Sequence, residues 1–454
     1  MAFESINPAT GEIVGVFEPW SNDVLDETLQ QVSEASRGWV ATPLGKRCEY
    51  LRSVASILRE RSEQYAGIIT REMGKLIAES RAEIEKCAWV CEYYADEGPA
   101  FLSDELIETD AGKSLVAYQP LGTVLAVMPW NFPFWQVFRF AAPALVGGNT
   151  GLLKHASNVP RCALAIEQVF KEAGLPSNIF RTLMISSSQV SQVIEDERVH
   201  AVTLTGSEHA GKQVAACAGM QIKKSVLELG GSDAFIVLED AELDDAVGGA
   251  TVSRFLNAGQ SCIAAKRFIV VDAIADEFVE QFAGAVSALH VGDPFDEHTT
   301  LAPMARIDLR DELHNQVIIS LDAGGKNICG CEPVAGEGAF YPASIIDHVQ
   351  PASPAYNEEL FGPVAGIIRV NDEEDAIRVA NASRFGLGGS VWTKDVSRGE
   401  RVARRIESGA VFVNGFVKSD PRLPFGGIKA SGYGRELSRH GMREFLNAKT
   451  IWIR

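Results

Sequence analysis

The spacing of apolar residues along the chain changes after Ala95, from a helical period to short alternating runs. Between Asp23 and Ala95, apolar residues recur three or four positions apart, for example at Leu51, Val54, Ile57 and Leu58. Residues at this spacing share one helix face, so the segment is predicted to form long amphipathic helices. The stretch Ser114–Pro129 is β-like instead, with valine and leucine runs that Pro120-Leu121-Gly122 interrupts.

Short apolar runs and amphipathic runs alternate over the rest of the chain. We predict strands at Gly151–Lys154, His200–Thr205, Ala234–Val237, Arg267–Val271 and Val364–Val370, and helices at Arg161–Ala173 and Ala210–Ala218. Such alternation favours doubly wound α/β sheets with mostly parallel strands. The second run extends from about Leu243 to Asn414, and the tail Lys449–Arg454 alternates like a strand. We therefore predict two packed α/β halves with a ligand cleft between them.

Composition and charge exclude several classes of partner. The chain has 454 residues, 60 acidic against 42 basic side chains, and a net charge of −18. No dense run of lysine or arginine offers a nucleic-acid or membrane surface, so neither partner is expected. The apolar stretch Val137–Val146 is too short to span a bilayer and contains Arg139.

The cysteines and the first residues indicate a reducing, cytoplasmic setting. Residues 1–19 lack a basic flank followed by an apolar core, so no signal peptide is expected. The eight cysteines include no pair of CxxC motifs, so no metal site is predicted.

Three short segments carry candidate chemistry. Cys262 follows Gly259 in a small, flexible turn, which suits a nucleophile that needs an approachable sulfur and nearby N–H groups. A lone cysteine is nevertheless more often buried and inert. Glu228 precedes the pair Gly230-Gly231, and Asn131 lies in the aromatic, double-proline turn Pro129–Pro133. Taken alone, these two segments are a strand end and a packing corner.

Two further motifs change that interpretation, namely Asn357-Glu358-Glu359-Leu360-Phe361-Gly362-Pro363 and Pro424-Phe425-Gly426-Gly427. In their order and separations, these motifs resemble those of the aldehyde dehydrogenase superfamily. The resemblance extends from Ile6-Asn7-Pro8-Ala9-Thr10-Gly11 to the C-terminal tail.

The resemblance implies two Rossmann-like domains, one for the cofactor and one for catalysis, with a small β segment for oligomerisation. Residues 1–100 and 121–228 would form the NAD(P)-binding domain, residues 229–434 the catalytic domain, and residues 101–120 and 435–454 the oligomerisation segment. Members of the family form dimers, often paired into tetramers, so a homodimer or homotetramer is expected.

The resemblance also implies catalytic roles. The thiolate of Cys262 would attack the aldehyde carbon, and Asn131 with the Cys262 N–H would stabilise the oxyanion. Hydride transfer to the nicotinamide would leave a thioester, and Glu228 would be the general base for its hydrolysis.

Cofactor residues follow from the same comparison. Gly206 and Ser207 lie between a strand and a helix, where a pyrophosphate fits the helix N-terminus. Trp130, Glu359 and Phe361 match positions around the nicotinamide, although an ordinary turn would also explain the last two.

The residues Lys154 and Ser157 bear on the choice between NADP and NAD. Lys154 matches a lysine that contacts the adenosine ribose, and Ser157 stands where NAD-preferring relatives carry a glutamate. A carboxylate would repel a 2′-phosphate, whereas serine beside lysine accommodates it. NADP is therefore the expected preference, with NAD as the alternative, unless Ser157 has no bearing on selectivity.

Three residues suggest the substrate. Arg139 and Ser419 match positions in succinate-semialdehyde dehydrogenases, and Trp135 precedes Arg139 by four residues on the predicted helix. If Asn131 opens that helix, Arg139 could reach a substrate carboxylate through paired hydrogen bonds. An intramolecular acid could instead neutralise Arg139. Leu256 also stands where relatives have a second arginine, with Arg254 two residues earlier.

The expected function is oxidation of a small aldehyde, most consistent with succinate semialdehyde. A different aliphatic aldehyde is the first alternative, and ester or thioester hydrolysis by Cys262 and Glu228 belongs to another class. A binding protein on an old enzyme scaffold is disfavoured, because nucleophile, base and oxyanion amide are all present.

Overall fold

A computed structural model describes residues 2–454, and Met1, the first residue of the predicted cofactor-binding segment, lies outside the described residues. The strands are β1 (Phe3–Ile6), β2 (Ile13–Phe17), β3 (Glu105–Leu106), β4 (Lys113–Pro120), β5 (Thr123–Met128), β6 (Thr150–His155), β7 (Phe180–Thr182), β8 (Ala201–Thr205), β9 (Lys224–Glu228), β10 (Asp233–Val237), β11 (Ala265–Val271), β12 (Lys326–Cys329), β13 (Ser344–Asp347), β14 (Val364–Val370), β15 (Gly388–Trp392), β16 (Ala410–Val413), β17 (Gly432–Tyr433) and β18 (Leu446–Ile453).

The helices are α1 (Asn22–Ala41), α2 (Leu44–Glu60), α3 (Ser62–Met73), α4 (Ile77–Phe101), α5 (Trp135–Val146), α6 (Pro160–Glu172), α7 (Val190–Glu195), α8 (Glu208–Met220), α9 (Leu243–Phe255), α10 (Asp272–Ser287), α11 (Ile307–Asp322), α12 (Pro354–Asn357), α13 (Glu373–Asn381), α14 (Val396–Ala403) and α15 (Ser438–Arg443). These bounds confirm the predicted N-terminal helices and the later alternation of strands and helices. No helix within residues 2–454 is long and apolar enough to cross a membrane.

The first large sheet has the strand order β17-β9-β8-β5-β6-β7. Its strands β5 to β9 are parallel, as the alternation predicts. The chain reaches β6 on one side of β5 and β8 on the other, so the carboxyl end of β5 is a topological switch point. Ligands of open α/β sheets bind at such points.

The second large sheet has the order β12-β13-β14-β11-β10-β15-β16 and is parallel except for β12 at its edge. A third, antiparallel sheet joins the tail strand β18 to β4 and β3. The α/β class with parallel-sheet domains is thus confirmed, while the exact domain boundaries stay a prediction.

The helix α5 begins at Trp135, so the expectation that Asn131 opens it is wrong. Pro133 explains the later start, because a proline disfavours the helical conformation of the residue before it. The first turn is instead capped from outside, since Glu83 Oε1 accepts the N–H groups of Phe134 at 2.8 Å and Trp135 at 2.9 Å. Asn131 therefore lies in an irregular loop above the sheet.

The short strand β17 joins the later half of the chain to the first sheet, where Gly432 is opposite Glu228. Gly432 has φ +110°, and a Cβ there would overlap the Leu227 carbonyl oxygen. We expect Gly432→Ala to lower the free energy of unfolding by at least about 1–3 kcal/mol, the usual cost of backbone strain alone.

Thermal or denaturant unfolding measures this change, with Gly248→Ala as the matched control. Gly248 is exposed inside α9, and a Cβ there meets no atom within 4 Å. Alanine should be neutral or stabilising by about 0.5–1 kcal/mol at such a position. Equal stabilities of the two variants would contradict the proposed strain.

Candidate active site

The turn before Cys262 has a strained backbone. Asn257, Ala258 and Gly259 have φ values of +57°, +51° and +71° in succession. Residues with a side chain rarely adopt this left-handed backbone conformation, and those that do cluster at functional sites. Only glycine fits at position 259, because a Cβ there would overlap the Gly362 carbonyl oxygen.

Two buried cations hold this turn through its carbonyl groups. Arg254 donates to the carbonyl oxygens of Gly259 and of Ala265, the latter at 2.9 Å. Lys266 Nζ donates to the carbonyl oxygens of Ser261 and Cys262, both at 2.7 Å. Arg254 is therefore a structural residue, and it does not replace the second substrate arginine of some relatives.

Cys262 lies between two cavities and contributes to the wall of each. Burial raises the pKa of its thiol to about 12, although Lys266 and Arg139 oppose this rise. The sulfur is consequently a neutral thiol near pH 7 and must lose its proton during attack. Its backbone N–H has no acceptor among residues 2–454, so this group is free to bind an oxyanion.

Asn131 faces the same region from the loop after β5. Its Nδ2 donates to the backbone carbonyl oxygen of Gln260 at 3.0 Å. Its own backbone carbonyl oxygen accepts from Asn257 Nδ2 at 2.9 Å. An amide nitrogen has two N–H donors, so one remains for a ligand. The strained turn and the Asn131 loop are thereby tied together.

Glu228 ends β9 and is 2% exposed. Neither carboxylate oxygen has a hydrogen-bond partner within the described residues. Burial and the nearby Glu436 raise the pKa of Glu228 well above its usual value, while Arg139 opposes this rise. A buried carboxyl group with a raised pKa and no partner is suited to proton transfer.

The first cavity, called here the nucleotide cavity, has a volume of about 300 Å³. Its wall includes the predicted cofactor residues Trp130, Gly206, Ser207, Glu359 and Phe361, together with Asn131, Glu228 and Cys262. Glu359 accepts the Gly231 N–H at 3.0 Å, and a Cβ at Gly230 would overlap the Glu359 carboxylate. The glycine pair thus permits the approach of Glu359.

Two parallel strands, β8 and β6, bring Ser207, Lys154 and Ser157 to the carboxyl edge of the first sheet. Ser207 caps α8 by accepting the Ala210 N–H, which leaves the helix N-terminus facing the nucleotide cavity. Lys154 lies near the end of β6, on the other side of β5, and Ser157 follows that strand. Both residues lie outside this cavity's wall. Lys154 is buried, and its ammonium has no ion pair or hydrogen bond within residues 2–454; burial lowers its pKa.

The second cavity, called here the aldehyde cavity, has a volume of about 420 Å³ and is mostly apolar. It contains the three predicted substrate residues, Trp135, Arg139 and Ser419, in its wall. Leu256, the residue that stands in place of the second arginine expected from the resemblance, also lies in this wall. Apolar lining beside one nucleophilic sulfur suits a short aliphatic aldehyde.

Arg139 already has an intramolecular partner in this cavity. Its guanidinium forms a salt bridge with the buried Glu436, donates to Thr205 Oγ1 at 3.3 Å and lies 4.6 Å from the centre of the Phe425 ring. This acid is the alternative partner considered from the sequence. Arg139 therefore lies where a substrate could reach it, but its charge is balanced.

Sequence reasoning missed Lys86, which lies in α4 and contributes to the aldehyde cavity. Lys86 Nζ donates to Ser419 Oγ at 2.7 Å. Within the helical pattern this lysine resembles any solvated charge between apolar positions. Only the packing of α4 against α5 and the 416–419 loop reveals its place.

Comparisons with known proteins agree with this geometry. The profile of the aldehyde dehydrogenase family matches residues 1–451. A probable succinate-semialdehyde dehydrogenase [NADP(+)] of Synechocystis sp. is 51% identical, with both chains covered over 100% of their length. A succinate semialdehyde dehydrogenase [NAD(P)+] of Escherichia coli is 49% identical over 99% of this chain and 97% of its own.

A solved structure shows the same fold. The succinic semialdehyde dehydrogenase of Streptococcus pyogenes, in complex with NADP+, superposes with a TM-score of 0.98. It is 42% identical, and both chains are covered completely.

Proposed function

The chain belongs to the aldehyde dehydrogenase family, and we propose that it oxidises succinate semialdehyde to succinate with NADP, or with NAD. The observation that carries this proposal is the position of Cys262 between a nucleotide cavity and an apolar aldehyde cavity. The named substrates and cofactors of the relatives support the same choice.

The first step is attack of the Cys262 sulfur on the aldehyde carbon. A C–S bond forms, and the carbonyl electron pair moves to oxygen as an oxyanion. Asn131 Nδ2 and the Cys262 N–H are the donors that stabilise this charge, and one such donor typically contributes about 2.7–4 kcal/mol to the barrier. The thiol proton needs an acceptor because burial raises the pKa of Cys262 to about 12, and Glu228 is the nearby base.

The residues around the nucleotide cavity fit a dinucleotide. The α8 N-terminus with Ser207 would bind the pyrophosphate, Glu359 and Phe361 the nicotinamide end with Trp130, and Lys154 the adenosine ribose. The unpartnered ammonium of Lys154 is an observation in favour of a phosphate-bearing ligand. When bound, the nicotinamide supplies the hydride acceptor for oxidation at the aldehyde carbon.

The last chemical step is hydrolysis of the thioester on Cys262. Glu228 takes a proton from water, and the hydroxide attacks the acyl carbon. The C–S bond then breaks, the acid is released, and the electron pair of the broken bond stays on the Cys262 sulfur as a thiolate. Burial raises the pKa of Glu228, so its basic form appears at a higher pH than that of an exposed carboxyl group. We therefore propose Glu228 as the general base.

The assembly and location are also proposals. The strand β18 is the edge of its sheet, and Trp452 and Ile453 expose about half of their surfaces there. A second copy of the chain would cover these residues, which supports a homodimer or homotetramer. All eight cysteines are free thiols, which fits the proposed cytoplasmic location.

The proposed activity predicts that the enzyme reduces NADP rapidly with succinate semialdehyde and more slowly with butanal. Cys262→Ala should abolish turnover, because no other cysteine lies in the walls of both cavities. The measurement is initial-rate absorbance of NADPH, with NAD in parallel. Cys329→Ala is the matched control, since Cys329 is similarly half-buried but lies in β12. No reduction with either aldehyde would overturn the proposal, and hydrolysis of a thioester alone would favour the hydrolase class.

Glu228→Gln should separate acylation from hydrolysis. We expect up to one NADPH per site, formed more slowly than in the unmodified enzyme because the Cys262 thiol loses its proton acceptor. Turnover should then be reduced roughly 100-fold or more, the usual contribution of a general base. Mass spectrometry should find one succinyl group on the Cys262 peptide. A steady-state rate within two-fold of the unmodified enzyme would contradict the base role.

Ser157→Glu should shift the cofactor preference towards NAD. A carboxylate near a 2′-phosphate costs at least about 1 kcal/mol, so the ratio of kcat/KM for NADP to that for NAD should fall about five-fold or more. Ser157→Gln introduces a side chain of the same size as glutamate but without its charge, and it should change the ratio far less. Equal ratios in both variants would mean that another residue decides the preference.

A further inference from the structure

Lys86 has an unusual place in the aldehyde cavity. Its side chain is partly buried, and its ammonium lies 4.3 Å from the centre of the Trp135 ring. One of its three N–H donors is directed to Ser419 Oγ at 2.7 Å. The ammonium is therefore held by an aromatic face and a hydroxyl, neither of which carries a negative charge.

The acids around Lys86 are all engaged elsewhere. Glu83 pairs with Lys75 and accepts the N–H groups that begin α5. Asp420 binds Arg422 at 2.6 Å, and the Arg422 guanidinium holds the pKa of Asp420 below its usual value. Lys86 has no salt bridge to any residue in the described range 2–454.

The other charged groups in the cavity wall are paired, hydrogen-bonded or exposed to solvent. Arg139 pairs with Glu436, and Lys75 pairs with Glu83. Glu79 accepts the Asn257 N–H at 3.0 Å, and burial raises the pKa of its carboxyl group. Lys418, at the cavity rim, is exposed to solvent. Inside the cavity, Lys86 is the cation that has no acidic partner among residues 2–454.

We propose that Lys86, supported by Ser419, binds the distal carboxylate of the substrate, an aldehyde with a carboxylate at its other end. This inference rests on the proposed oxidation of succinate semialdehyde and assigns its specificity to a residue outside the Arg139 position. The two remaining N–H donors of Lys86 bind the carboxylate oxygens, and the Trp135 ring packs against the methylene groups. Arg139, already paired with Glu436, contributes to the positive field without being the principal contact.

Specificity follows from the energetics of an unpaired charge. Succinate semialdehyde compensates the Lys86 ammonium in an apolar cavity, where charge pairs are stronger than in water. Butanal fills the same space but leaves the ammonium without a partner. The site therefore discriminates by charge rather than by the length of the aldehyde.

The protonation of Lys86 gives the proposal a second readout. Burial lowers the pKa of Lys86 to about 8, and the positive charge of Arg139 on α5 contributes to this fall. Cys87 and Glu83 on α4, and Asp420 on the loop that faces them, act in the opposite direction. Lys86 is thus charged below about pH 8, and it loses its charge as the pH rises through that value.

The test compares kcat/KM for succinate semialdehyde with kcat/KM for butanal, because Cys262 and Glu228 act on both aldehydes and cancel in the ratio. In the unmodified enzyme the ratio should fall as the pH rises from 7 to 9. Lys86→Met, of similar length and without charge, should lower the ratio at pH 7 about ten-fold or more, mainly through KM. Lys86→Arg should restore much of the ratio and remove its fall with pH, since arginine stays protonated.

Lys418→Met is the matched control, because it removes the same charge at the exposed rim of the cavity. An unchanged ratio in Lys86→Met, or an equal fall in Lys418→Met, would overturn the proposal. These outcomes are distinct from failure of the proposed function, in which the unmodified enzyme oxidises neither aldehyde or shows no preference for the carboxylated one.

Discussion

The position of Cys262 depends on hydrogen bonds from two buried cations to backbone carbonyl groups. Arg254 and Lys266 together bind four carbonyl oxygens on either side of the nucleophile. Such charge-assisted hydrogen bonds are stronger than neutral ones, and they offset the strain of three successive left-handed residues. Burial lowers the pKa of Arg254 to about 9, which reflects how little solvent reaches this group.

This arrangement has consequences for both cavities. It leaves the Cys262 N–H without an acceptor among residues 2–454 and places the sulfur at the boundary between the nucleotide and aldehyde cavities. Lys266 also pairs with Glu359 at 3.2 Å, so the turn and the proposed nicotinamide-binding residue share one cation. A change on the nucleotide side can therefore be transmitted to the nucleophile through a single side chain.

Burial determines the protonation of the reacting groups. It raises the pKa of both Cys262 and Glu228, because the charged form of each group is disfavoured away from water. In the aldehyde cavity the cost of burying charge is met by pairing, as in Lys75 with Glu83 and Arg139 with Glu436. Lys86 departs from this pattern, and its departure is the basis of the substrate specificity that we propose.

The sequence by itself determined the family resemblance, the α/β class and the segments around Cys262, Glu228 and Asn131. Local patterns suffice for these features, because strand and helix periods and short glycine or proline motifs are written in neighbouring residues. The tertiary structure decided the charge partners, since Arg139 meets Glu436 and Lys86 meets Ser419 from distant parts of the chain. It also moved the start of α5 beyond Asn131, where Pro133 and the external cap from Glu83 outweigh the apolar period. An ionic contact depends on which side chains the fold brings together and how much water it excludes, and neither quantity can be read from local spacing.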